Sequence, residues 1–241
     1  MMRSTGSSEA DSALPPPGRR LETPRAAGVA GLVFTVLFVI SILLVRSHPD
    51  GGASASEIKD FYMDENGGSL ALVGLYLIPF AGIAFLWLIA VVRSLIGDRE
   101  DRFFSTVFLG SGLLFVAMLF MAAGVGGALV AAVKIQDGPV PSPETVEVFR
   151  SLGFAFLFVY AVRMAAVFMI VVSTIGRRLG IFPRWLVVTG YVAALVLLLN
   201  VTYLELLVIV FPAWVAAVSV VILRAGRSRT RAGPAAESRG G

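Results

Sequence analysis

Hydrophobic positions fall into long unbroken runs along the chain, and polar positions collect in the short segments between these runs. An apolar run of about 20 residues is long enough to cross the hydrocarbon core of a bilayer as an α-helix. The pattern therefore predicts an all-α fold, a polytopic transmembrane helical bundle with six spans. These spans cover residues 26–45, 70–92, 103–133, 152–175, 185–203 and 206–223.

The third run and the last two runs differ from the simple pattern. The third covers 31 residues, more than one crossing needs, so we expect tilt or a protruding end. The last two runs are separated only by a polar turn at residues 200–205. As one helix this stretch would measure roughly 60 Å at 1.5 Å per residue. A hairpin of two helices is therefore the better interpretation.

The two chain ends have a different composition from the spans. Residues 1–25 and 225–241 are rich in Ser, Pro, Gly and charged side chains. Such segments bury too little apolar surface to fold, which predicts disordered tails around a transmembrane domain at 26–224.

Overall composition excludes a soluble domain and several kinds of chemistry. Hydrophobic residues make up 57% and charged residues 15% of the chain, against about 45–50% and about 25% in soluble domains. The chain has no Cys and a single His, His48, which excludes disulfides, thiolate metal sites and bis-His haem. We expect no metal and no cofactor. No catalytic motif occurs in a suitable context, and the protein is predicted not to be an enzyme.

Basic residues are distributed unevenly between the connecting segments. With the N-terminus inside, 15 Lys and Arg residues fall in cytoplasmic segments and four fall outside. Because cytoplasmic loops carry the excess of positive charge, both termini are predicted to be cytoplasmic, in a bacterial inner (plasma) membrane. The basic residues flank spans instead of forming a soluble face, so the expected partner is the lipid bilayer and not nucleic acid. Another membrane protein and a second copy of the chain remain open as partners.

Two of the predicted external segments carry helix-start signals. Ser54 followed by Glu57 fits a capping box, and a short helix is expected to follow and to end at the glycines 67–68. Three apolar side chains would share one face of it: Ile58, Phe61 and Tyr62. In the next external segment, Ser142 at the N-cap and Pro143 at N1 predict that the fourth helix begins outside the bilayer.

Arg163 is the one charged side chain near the middle of a predicted span. Insertion scales assign such an arginine a cost of about 2.5–3.5 kcal/mol, so it should face the bundle and meet polar groups. Pro79 and Pro212 are expected to kink their helices and to free the carbonyls of Leu75 and Val208. The candidate partners are these two carbonyls with Tyr160 and Asn200. A structural arginine and a ligand site around Arg163 are both open.

Small residues recur along the third span. They form a face suited to close helix packing, with the lining of a substrate pathway as the alternative. The face consists of Ala123, Gly124, Gly127, Ala128 and Ala131.

The stretch FLWLIAVVRSLIGDREDRFFSTVFLGSGLLF, residues 85–115, resembles the small polytopic integral membrane proteins of high-GC bacteria that have no assigned activity. The resemblance depends on residues around one predicted cytoplasmic turn: Trp87, Arg93, Arg102, Phe103 and Phe104. It implies six spans and a plasma-membrane location, and it brings no catalytic residues.

Taken together, these features favour a structural, regulatory or accessory membrane component. The alternative is a transporter, or the membrane subunit of an exporter, with a site around Arg163. Spans without intramembrane carboxylates argue against a standard proton or sodium relay.

Overall fold

The computed structural model describes residues 23–45, 52–64, 67–96, 102–199 and 207–232. These residues form α-helices, one π-helical segment and connecting turns, with no strand among them. The elements are α1 (Thr23–Val45), α2 (Ala55–Met63), α3 (Gly67–Ile96), α4 (Arg102–Lys134), α5 (Pro143–Phe154), the π segment (Ala155–Ala161), α6 (Val162–Arg178), α7 (Arg184–Leu199) and α8 (Leu207–Ala232).

Five of these helical stretches are long and apolar enough to cross a membrane, judged by length and composition. They are Arg25–Val45, Gly68–Arg93, Phe104–Lys134, Pro143–Arg178 and Leu207–Ala225. The fourth is continuous through α5, the π segment and α6. α7 is a shorter apolar helix of 16 residues, or roughly 24 Å at 1.5 Å per residue. The all-helical, membrane-embedded class is as predicted, while the sixth crossing and the orientation remain predictions.

Most neighbouring helices run antiparallel around a common core, and α6 and α8 run parallel. α1 lies between α3 and α8, α4 packs beside α3, and α6 packs between α4 and α7. Contacts of α8 with α6 and α7 close the ring. Close approaches are made at small residues: a Cβ on Gly74 of α3 would lie 3.0 Å from the Ser41 carbonyl of α1. Without a hydrophobic driving force between helices in lipid, such close packing is a main source of stability.

A cluster of phenylalanine rings fills the centre of the bundle. The ring centroids of Phe34 and Phe85 are 4.9 Å apart, and those of Phe115 and Phe211 are 4.8 Å apart. Phe168 of α6 lies 5.1 Å from Phe85. Five helices, α1, α3, α4, α6 and α8, thus each contribute at least one ring to the same core, mostly in tilted or edge-to-face geometry, which aromatic pairs prefer.

Buried hydroxyls are mostly satisfied within their own helices. Ser41, Ser111 and Ser219 each donate to the carbonyl four residues earlier, at 2.7–2.8 Å. Between α6 and α7, Thr174 and Tyr191 share a hydrogen bond of 2.8 Å. These bonds remove the penalty of polar groups in an apolar interior.

α2 packs across one end of the bundle through the apolar face that the sequence predicts. Ser54 and Glu57 form the predicted capping box, and Ile58 and Tyr62 are buried against Val130 of α4. The Lys134 ammonium donates to the Asp64 carbonyl at 2.8 Å and fixes the end of α2. The predicted end at glycines 67–68 is wrong: α2 ends at Met63, and Gly67 begins α3.

The antiparallel order places most basic residues at the opposite end of the bundle, called here the basic end. It is defined by Arg25, Arg93, Arg102, Arg177, Arg178, Arg184 and Arg224. There the Arg178 guanidinium lies over the Phe104 ring at 4.4 Å. The end that carries α2 is called the α2 end.

Several predicted boundaries differ from the observed ones or lie outside the described residues. α1 begins at Thr23, inside the predicted tail 1–25, and α8 continues to Ala232, past the predicted start of the second tail. α5 begins at Pro143 with Ser142 as its N-cap, as predicted. The rest of the tails and the predicted turn at 200–205 lie outside the described residues.

Candidate functional site

A cavity of about 270 Å³ opens inside the α2 end of the bundle. Helices α1, α3 and α4 form one side of it, and α5 and the π segment form the other. Tyr62 of α2 also lines the cavity, and its side chain is buried. Burial raises the pKa of the Tyr62 phenol above its ordinary value.

The cavity is elongated along the helix axes. On α4 its lining runs from Leu119 to Leu129, a separation of ten positions or roughly 15 Å of helix. On the facing wall it runs from Val146 of α5 to Phe158 of the π segment. Half of a hydrocarbon core about 30 Å thick is about 15 Å. The length of helix that lines the cavity therefore equals about half the thickness of a hydrocarbon core.

Apolar side chains make up nearly all of the lining. It consists of Ile42, Val45, Leu75, Ile78, Leu119, Ala122, Ala123, Gly126, Leu129, Val146, Phe149, Gly153, Phe154, Leu157 and Phe158, with Tyr62 and Arg150 as its polar members. Phe154 and Phe158 stack with ring centroids 4.3 Å apart and an interplanar angle of 10°. This surface suits a hydrocarbon chain.

Small residues create the space. Ala122 and Gly126 on α4 and Gly153 on α5 all line the cavity. A Cβ on Gly126 would meet only Leu75, at 3.8 Å, and a Cβ on Gly153 would lie 3.7 Å from the Ala122 carbonyl oxygen. Larger side chains at these positions would fill the volume that the cavity now occupies.

Arg150 supplies the positive charge at the α2 end of the cavity. Its side chain is 46% exposed, and the guanidinium donates to the Glu147 carboxylate at 2.8 and 3.1 Å. An exposed ion pair one helical turn apart is weak and exchangeable. The guanidinium can therefore meet an anionic group above the apolar cavity.

A second cavity of about 370 Å³ adjoins the first on the far side of Val146. Gly52, Ala53, Ile58 and Pro143 line it together with two carboxylates, Glu144 and Glu147. The carboxylates disfavour binding of an anion, and the apolar residues of the lining do not form one continuous surface. The longer apolar cavity is therefore the candidate site.

Arg163 lies deeper in the bundle and is only partly buried. Its Nη1 donates to the carbonyls of Phe158 at 3.1 Å and Val159 at 2.9 Å. These two acceptors belong to the helix that carries the arginine and differ from the candidates of the sequence analysis, which were the Leu75 and Val208 carbonyls, Tyr160 and Asn200. The reason is the π segment, in which backbone N–H groups donate to the carbonyl five residues earlier. They no longer donate to the carbonyl four residues earlier, as they would in an α-helix. Arg163 is not among the described residues that line the cavity.

The other predicted site residues are scattered. Tyr160 is 53% exposed, Pro79 is exposed and Pro212 is buried, with its carbonyl accepting from the Thr35 hydroxyl at 3.1 Å. Both prolines lie inside continuous helices. Asn200 lies outside the described residues.

The small face of α4 is divided between two environments. Ala123 packs against the core, and a Cβ on Gly127 would lie 3.1 Å from Leu75 of α3. Gly124 and Ala128 are exposed, and Gly124 has open space beside it. Ala131 is half-buried.

Sequence reasoning missed the cavity and the place of Arg150 in it. The available signal was the spacing of Val146, Phe149, Arg150 and Gly153, which puts one apolar face and one cation on the same side of α5. In the sequence Arg150 stands out only as one of the four basic residues in predicted external segments.

The described residues offer no metal site, since no three His, Cys, Asp or Glu side chains lie close enough together. The cavity is suited to bind an apolar chain with a polar or anionic end. No family model, curated protein or solved structure matches the chain.

Proposed function

We propose that this protein is a non-enzymatic, accessory membrane component that binds one acyl chain of an anionic membrane lipid in the cavity at the α2 end. The observation that carries the proposal is an apolar cavity lined along about half the thickness of a hydrocarbon core, with the Arg150 guanidinium at its α2 end. A chain of the surrounding lipid would enter the cavity while its headgroup stays beside Arg150.

Affinity for such a lipid cannot come from the hydrophobic effect alone. Lipid tails are as apolar as the cavity wall, so transfer of a chain from the bilayer gains little. Packing and the headgroup contact must supply the preference. A charge-assisted hydrogen bond from a guanidinium to a phosphate is about twice as strong as a neutral one, which favours an anionic headgroup.

The membrane orientation that accompanies this proposal has six crossings and a cytoplasmic basic end. The uneven distribution of Lys and Arg supports it, and α7 would cross with local thinning of the bilayer. Reporter fusions after Asp98, Arg178 and Gly241 should be cytoplasmic, and fusions near Asp64 and Gly138 should be external. An external C-terminus would contradict the six-span arrangement, and the cavity would then belong to the other leaflet.

Two glycines on α4 provide a matched test of the cavity. Gly126 faces it, whereas Gly124 faces open space. Replacing either glycine by Leu gains helix propensity of about 0.8–1 kcal/mol, but only Gly126→Leu places a side chain in the cavity. We expect Gly126→Leu to weaken lipid binding at least tenfold and Gly124→Leu to leave it unchanged.

Binding can be measured by native mass spectrometry of the purified protein, titrated with phosphatidylglycerol and phosphatidylcholine of identical acyl chains. Arg150→Gln should weaken phosphatidylglycerol binding, and Glu147→Gln should strengthen it by removing a competing carboxylate. Equal binding of both lipids to the wild type, or equal losses in the two leucine variants, would overturn the proposal.

A transporter or the membrane subunit of an exporter is a second candidate. The π segment beside Arg163 favours it, because π-helical turns within α-helices often occur at functional sites. Recovery of an ATPase with the protein from native membranes would support transport, whereas recovery of a sensor or envelope protein would support the accessory role.

A further inference from the structure

We propose that Arg163 is a positioning residue, which stabilises the π-helical hydrogen-bond register of the segment before it. It thereby sets the rotation of α5 about its own axis, and so the side of α5 that faces the cavity. Its consequence for lipid binding rests on the proposed function. The structural part of the inference rests only on hydrogen bonds within one helix.

The hydrogen bonds at the end of the π segment show how the register and the arginine depend on each other. The Val162 N–H donates to the Leu157 carbonyl, five residues earlier. In an α-helix it would donate to Phe158, four residues earlier. The π register thus displaces Val162 from the Phe158 carbonyl, and the Arg163 guanidinium donates to that same carbonyl at 3.1 Å.

A carbonyl without a donor is strongly unfavourable in a membrane-spanning segment, where water cannot replace the lost hydrogen bond. Arg163 donates to Phe158 and also to Val159 at 2.9 Å. Guanidinium bonds to carbonyls are charge-assisted and stronger than neutral ones. The arginine therefore lowers the free energy of the π register relative to the α register, and the carbonyls in turn solvate its charge.

The register determines which side of α5 faces the cavity. A π-helical turn accommodates roughly one more residue than an α-helical turn, and one residue of α-helix corresponds to about 100° of rotation. Reversion to α-helix would turn α5 by about that angle relative to α6. The α5 face that contains Val146, Phe149 and Arg150 would then leave the cavity.

The chain contains no Cys, so introduced cysteines allow spin labelling at chosen pairs of sites. One pair joins Val148 of α5 to Met63 of α2, which are 63% and 59% exposed. The control pair joins Met63 to Tyr76 of α3, which is 63% exposed and does not lie across the π segment. Rotating a helix about 10–12 Å wide by 100° moves a surface side chain by about 8 Å.

Arg163→Leu should shift the interspin distance of the Val148–Met63 pair by several ångströms and leave the control pair unchanged. Arg163→Gln, which keeps one amide donor, should give a mixture of both distances. An unchanged Val148–Met63 distance in folded Arg163→Leu protein would overturn the proposal.

A one-residue deletion separates positioning from general stabilisation. Removing Val159, which is 39% exposed, from the Arg163→Leu protein takes out the extra residue of the π segment. The remaining α-helix should return α5 to its original rotation. We expect this double variant to recover the wild-type Val148–Met63 distance. Failure to recover it would show that Arg163 acts by another route and would overturn the proposal.

Lipid binding provides the second readout. Arg163→Leu should weaken phosphatidylglycerol binding, and deletion of Val159 in that background should restore it. If wild-type protein binds no phosphatidylglycerol, the proposed function fails, while the distance measurements still decide whether Arg163 sets the register.

Discussion

Replacing Phe85 by Ala tests whether the aromatic cluster holds the bundle together. Phe85 is fully buried, and its ring centroid lies 4.9–5.6 Å from those of Phe34, Phe115, Phe168 and Phe211. These four rings come from four different helices. The variant therefore removes the side chain that contacts most of the bundle at once.

The expected loss can be worked out from the environment of the ring. In soluble proteins Phe→Ala in a core costs about 3–5 kcal/mol, of which about 1.5–3 kcal/mol reflects transfer of the side chain from water. Helices that separate within a bilayer expose the ring to lipid, so this transfer part is largely lost. The cavity and the four ring contacts remain, and ring pairs contribute about 0.5–1.5 kcal/mol each without being additive. We expect Phe85→Ala to lower the free energy of unfolding by about 2–3 kcal/mol.

Phe80 on the same helix is the matched control, since its side chain is 59% exposed. Phe80→Ala should change the free energy by less than about 0.5 kcal/mol. Reversible unfolding in mixed micelles, followed by tryptophan fluorescence as the denaturing detergent is increased, measures both values. Equal losses for the two variants would refute the packing argument, because the cluster would then contribute no more than a lipid-facing ring.

Two further predictions concern a helix crossing and a helix cap. Gly190→Ala should lower Tm, because the added methyl group collides with the Ser173 hydroxyl and approaches the Trp214 Nε1 to 2.9 Å. Ser173→Ala should be nearly neutral alone, since its Oγ has no partner among the described residues, and should partly restore Tm in the double variant. Ser54→Ala should destabilise α2 by about 1 kcal/mol, seen as faster amide exchange. Hydrogen bonds from the Ser54 backbone and then its side chain lower the pKa of Glu57. The contribution of Glu57 to the stability of α2 should be present above the ordinary pKa of a free glutamate and disappear as pH falls through the lowered pKa. Exchange rates in α2 that do not change with pH, after correction for intrinsic exchange, would contradict this.

The sequence alone was sufficient for the helices and their local signals. Within the described residues each predicted span overlaps helical structure, because an uninterrupted apolar run leaves backbone groups no partners in lipid except those within the helix. The caps at Ser54 and Ser142 were also predictable, since an N-cap bond joins residues two or three positions apart. The end of α2 was not, because Gly67 fits both a helix end and the start of α3.

Arg163 shows where prediction from the sequence reached its limit. Its position and its need for polar partners followed from the apolar residues around it. The identity of the partners depended on the π segment, which exchanges one set of backbone hydrogen bonds for another with no distinctive residue to mark it.

Only the tertiary structure decided which side of each helix faces a neighbour. Ala123 packs against the core, whereas Gly124, the next residue and another small one, is exposed. In a soluble protein a polar stripe would mark the outward face. A helix in lipid is apolar on every side, so its inward face is set by the shape of the neighbouring helices, and the cavity beside Gly126 follows from that shape.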